Sequence, residues 1–161
     1  MSQLLRPGRQ VPDAPAVGRG SNGRPVLLAT LAVPFEPESA RVAIQAAMEG
    51  DLKLVVVDVV EMPFLPQCWV TRRADIELDD DRAQIRRLVE QVCGLGIEVE
   101  HLRVRSPRPV DALLEVAGER NAALLVLGPD RSRLKPRLFA RVARRIRKRA
   151  TCLLWVAGEG P

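Results

Sequence analysis

The chain has 161 residues, of which 47% are apolar, 28% charged and 3% aromatic, and its formal net charge is +5. That length and apolar content suit one globular domain with a full core, and no apolar run approaches the roughly 18 residues of a membrane span. The N-terminus lacks the apolar core of a secretory signal, so the expectation is a cytoplasmic protein with no membrane partner.

Residues 1–23 are rich in Pro, Gly, Arg and Ser, the composition of a flexible tail. The ordered domain is expected over 24–157, with a short tail at 158–161. Val26 to Leu31 reads as a buried strand. A helix follows with Pro37 in its first turn and Ala40, Ala43, Ile44, Ala47 and Met48 on one face, ended by Gly50. Lys53 to Val60 is a second buried strand. A loop from Glu61 to about Arg73 contains Pro63, Pro66 and Trp69. The run Asp79-Asp80-Asp81 predicts the start of the next helix, where carboxylates favour the positive end of the dipole rather than a metal. Ile85, Leu88, Val89 and Val92 form its apolar stripe, and Gly94 stops it.

Ile97 to Val104 alternates apolar and polar residues, the pattern of an exposed edge strand. It holds His101, the only histidine, for which the sequence places no catalytic or metal-binding partner nearby. Val110, Leu113, Leu114 and Ala117 predict a third helix, and Ala123 to Leu127 a fourth strand. Leu138, Val142 and Ile146 predict the inward face of a fourth helix. Cys152 to Val156 is a fifth, wholly apolar strand. Five strands alternating with four helices predict a doubly wound parallel α/β sandwich. Cys68, Cys93 and Cys152 are well separated and form no paired motif, so neither a disulfide framework nor a metal site is expected.

Charge is uneven along this pattern. Residues 131–149 contain ten Lys or Arg and no acid, while the remainder holds 15 basic against 20 acidic residues. Such a segment is either a solvated helix face or an electrostatic attractor for anions.

The order of these elements resembles the universal stress protein family across nearly all of 24–157. The resemblance rests on the stretch DALLEVAGERNAALLVLG (Asp111–Gly128), on the basic loop and helix after it, and on the closing segment Arg149 to Val156. It implies strand order 3-2-1-4-5, which leaves Cys152, Leu153, Leu154, Trp155 and Val156 at an apolar edge of the sheet, where a homodimer through this strand is expected, the alternative being that the N-terminal tail or a loop covers it. An unprotected edge of this kind invites pairing.

ATP-binding members of that family carry Gly-x-x-Gly, nine further residues, then Gly followed by Ser or Thr. Gly128 stands at the first position, Arg131 at the second, and Arg141 and Val142 at the final pair. Those members also place an Asp at the end of the first strand. Here the chain reads Thr30-Leu31-Ala32-Val33-Pro34, with no acid before Glu36. Glycine lets a backbone turn or approach a phosphate closely, Pro129 removes an amide donor, and valine has no hydroxyl. Family-type ATP binding is therefore expected to be lost, and no cofactor is expected. One alternative is an arginine-lined site, in which ATP or another phosphate anion sits near Arg131, Ser132 and Arg133 at the amino end of the last helix, with Arg141 available beyond.

No Ser-His-Asp or Cys-His arrangement and no paired carboxylates are visible, so a non-enzyme is expected. The reading is a stress-response interaction module with an unidentified protein partner. Two alternatives stay open: a nucleotide- or anion-binding member, and a nucleic-acid or ribosome-associated protein using the 131–149 face. Contact with a polyanion would be nonspecific and salt-dependent, because aromatic residues for base stacking are scarce.

Overall fold

A computed structural model describes residues 23–31, 33–61 and 73–159. The elements are β1 (Val26–Thr30), α1 (Pro37–Gly50), β2 (Leu54–Glu61), α2 (Arg73–Gly94), β3 (Val99–Ser106), α3 (Pro109–Glu119), β4 (Leu124–Leu127), a 3-10 turn (Arg131–Arg133), α4 (Pro136–Arg149) and β5 (Leu153–Val156). All strand pairs are parallel, in the order β3-β2-β1-β4-β5. The expected sandwich and strand order are therefore observed. Strand ends shift by one or two residues, so that Cys152 and Ala123 lie just outside β5 and β4.

Alternate residues of the central strands point to opposite faces and build two cores. Leu27, Ala29, Val55, Val57, Leu125 and Leu127 pack with Leu113 of α3 and with Phe139, Ala143 and Ile146 of α4. Val26, Leu28, Leu54, Val56 and Val126 pack with Ala43 and Ala47 of α1 and with Ile85 and Val92 of α2. Burying each such Val, Leu or Ile contributes about 1.5–3 kcal/mol, which makes continuous apolar runs the dominant local signal.

Two helix expectations need correction, the start of α2 and the inward faces of α1 and α4. α2 begins at Arg73, so Asp79, Asp80 and Asp81 lie inside the helix rather than at its cap. The preceding Ala74, Ile76, Glu77 and Leu78 have no residue that would stop a helix from extending back. α1 ends at Gly50 as expected, and Asp51 makes the left-handed turn after it, at φ 49°. Met48 is 54% exposed and Leu138 46% exposed, so neither joins the inward face predicted for it. In α4 that face is Phe139, Ala143 and Ile146, with Val142 partly buried beside them, one residue around from the predicted set. The tail 1–22, the Pro63–Trp69 loop with Cys68, and residues 160–161 lie outside the described residues.

Candidate functional site

The carboxyl ends of the parallel strands meet the turn from Gly128 to Lys135, where α/β proteins usually bind ligands. In this turn four backbone donors are engaged by backbone carbonyls. Gly128 N donates to the Ala29 carbonyl and Asp130 N to that of Pro34; Arg133 N donates to Asp130 and Leu134 N to Arg131. Pro129 has no donor. A fifth donor, Ser132 N, goes to the Asp130 carboxylate at 3.0 Å, and the Ser132 hydroxyl joins the same oxygen at 2.6 Å. These two bonds hold the Asp130 carboxyl below its ordinary range, the hydroxyl first and the amide second, with help from nearby Arg133. The turn thus holds a carboxylate on the donor that a phosphate would need.

The residues predicted around one anion are dispersed. Gly128 is buried, and a Cβ there would collide with Ser39 at the start of α1, so close packing of helix on strand accounts for this glycine. Arg131 lies over the Phe139 ring, 5.6 Å from its centroid, and its guanidinium occupies the space a Gly158 Cβ would need. Gly158 itself has φ +69° in the turn after β5. Ser132 is held by Asp130. Arg133 points elsewhere, into an open cleft of about 440 Å³ that Pro34, Phe35, Gln84, Arg87 and Asp130 also line. Val142 packs on the core, and Arg141 is exposed on α4. The 131–133 segment is also not the amino end of α4. It is a separate 3-10 turn, and α4 starts at Pro136 after Lys135.

A polar row missed by sequence reasoning crosses the same end of the sheet. Thr30, Asp58 and Arg103 are register partners on β1, β2 and β3. Asp58 is 6% exposed and pairs with Arg103 at 3.5 Å, while the Thr30 hydroxyl donates to the Val33 carbonyl. The carboxylate absent from the end of β1 therefore has a counterpart one strand away, held by an arginine. Its signal was a lone acid in the apolar run LVVVDVV. His101 lies one step below on β3, with Nε2 buried and without a partner among the described residues. Burial first, and the Arg103 charge second, push its pKa down. Among the described residues no cluster of three His, Cys, Asp or Glu is placed for a metal.

The basic segment is partly neutralised. Asp111 of α3 pairs with Arg145, at 2.9 Å, and with Arg149, and Glu159 pairs with Arg147. Arg24, the first residue of the expected domain, is tied to the Asn121 and Ala122 carbonyls at 3.1 and 2.9 Å. At the sheet edge, Leu154 and Trp155 are half-buried on opposite cores, whereas Leu153 is 75% exposed. Among the described residues β5 pairs on one side only, with β4. None of the described helices is long and apolar enough to cross a membrane.

A family model, the Universal stress protein family, matches residues 24–158. No curated protein matches the sequence. Among solved structures, a universal stress protein from Archaeoglobus fulgidus superposes with TM-score 0.60 at 20% identity, covering 83% of this chain and 98% of that one. The Archaeoglobus fulgidus protein in complex with dAMP gives 0.58 at 19% identity, covering 83% and 97%. A family protein from Arabidopsis thaliana with AMP bound gives 0.51 at 14% identity, covering 85% and 96%. At these identities the likeness is one of fold.

Proposed function

This chain belongs to the universal stress protein family, and we propose that within it the protein is a cytoplasmic, non-enzymatic interaction module that does not hold ATP in the family manner. The observation that carries this reading is the Gly128–Leu134 turn. The amides of Gly128, Asp130, Ser132, Arg133 and Leu134 are bonded within the chain, the Asp130 carboxylate sits on Ser132, and Arg131 is folded onto Phe139. A triphosphate arriving there would meet a carboxylate on the Ser132 amide, with no glycine at the second motif position. Relatives of the same fold are described with dAMP and AMP bound, so an adenine nucleotide is the ligand to test. Mass spectrometry of natively purified protein should find no co-purifying nucleotide. A stoichiometric adenine nucleotide would overturn the reading.

The module acts as a homodimer through β5. What favours this is the exposed Leu153 on an edge strand unpaired on its outer side among the described residues. A two-fold partner using the same strand satisfies both sets of backbone groups.

A further inference from the structure

α4 separates its charges into two classes. Phe139, Ala143 and Ile146 fix its inward direction. At about 100° per residue, Arg137, Arg141, Arg144 and Lys148 (spaced i, i+4, i+7, i+11) fall within an arc of about 60° on the opposite side. They form a line about 16 Å long at 1.5 Å rise per residue. All four are exposed, and none has an ion pair or hydrogen bond among the described residues. The remaining cations of the helix body, Arg145, Arg147 and Arg149, lie on its flanks and are bound by Asp111 and Glu159. Two acids thus offset most of the flank charge, and the outermost ridge keeps its own.

We propose that this ridge is a docking surface for the phosphodiester backbone of nucleic acid, read without regard to sequence. A strand of duplex places a phosphate every 3.4 Å of axis, so a ridge about 16 Å long runs beside about five of them. Three of its four cations are arginines, whose planar forks match phosphate oxygens. A protein partner would need aromatic or apolar anchors at the centre of its contact, and a bilayer would need apolar side chains to bury. The arc holds neither: its members are only the three arginines and the lysine. The proposal uses no residue of the Gly128–Leu134 turn, so it stands whether or not a nucleotide binds there.

The test is fluorescence anisotropy of the full chain with a labelled 20-base-pair DNA duplex of arbitrary sequence, between 50 and 200 mM NaCl. Four phosphate contacts give a slope of log K against log[salt] of about −3.6, a loss on the order of 100-fold over that range. Arg141→Gln/Arg144→Gln should reduce the slope by about 2 with an unchanged melting temperature. The quadruple Glu variant at Arg137, Arg141, Arg144 and Lys148 should abolish binding. Asp111→Asn, which frees Arg145 and Arg149, should tighten it. Absence of binding at 50 mM NaCl, a slope near zero, or a double variant that binds like the wild type would overturn the proposal. Equal affinity for poly-glutamate would also overturn it, because the ridge would then be a general anion surface.

Discussion

Asp130 accepts hydrogen bonds from both the amide and the hydroxyl of Ser132, so the turn after β4 carries its own anion where the fold offers one a place. Removing that carboxylate should open the place. Asp130→Ala leaves the Ser132 amide unsatisfied, with Arg133 and Arg87 lining the adjoining cleft. Affinity for inorganic phosphate, followed by amide shifts of Ser132 and Arg133, should rise about two- to fivefold. An unchanged or weaker affinity would show that Asp130 does not compete for the site.

Gly128 is retained for packing, because its position faces Ser39 across the β4–α1 contact. Gly128→Ala should therefore destabilise the fold by about 1–3 kcal/mol through overpacking. Pairing it with Ser39→Gly should recover part of that loss in a denaturant melt. A Gly128→Ala variant as stable as the wild type would contradict this account of the one glycine that matches the family motif.

Much of this fold was legible because its evidence is local. Runs such as VLLAT and LVVVDVV are apolar enough to be buried wherever they lie, and their spacing fixes the crossovers. The errors came where a neighbour decides. The α2 start was placed at three aspartates, although the residues before them extend a helix equally well. Leu138 and Phe139 are adjacent apolar residues, and only the approach of α3 and β4 chooses Phe139. The Asp58–Arg103 pair spans two strands 45 residues apart, so no window on the chain contains it. Asp130 is different: Asp two residues before Ser is an ordinary turn signal, legible in the local sequence among the arginines that surround it.

His101 gives the fold a pH dependence. Its pKa is pushed below the ordinary value by burial and by Arg103, so the unfolded chain takes up a proton more readily than the native one. Its contribution is fully present above about pH 6.5 and is lost as pH falls from there through the lowered native pKa. Wild-type stability should decline relative to His101→Gln by up to about 1.4 kcal/mol per pH unit below pH 6.5. Parallel stability curves for the two proteins from pH 7.5 to 5 would refute the assignment.

Leu154 and Trp155 are half-buried, so substituting either would disturb the core as well as the edge strand. Leu153 is 75% exposed, so Leu153→Lys changes the edge without emptying the core. Light scattering at tens of micromolar should give a dimer for the wild type and a monomer for the variant, with the same circular dichroism. A wild-type monomer, or a variant that stays dimeric, would count against β5 as the interface.

Whether the altered turn still accepts ATP is best measured by isothermal calorimetry of the full chain with Mg-ATP, alongside Asp130→Ala and Arg131→Gly/Asp130→Ala. The wild type should give no heat that fits a micromolar site, because five of its turn amides are already bonded and Arg131 lies on Phe139. A wild-type site of micromolar or tighter affinity, weakened by substitution of Ser132 or Arg133, would contradict the account at its centre.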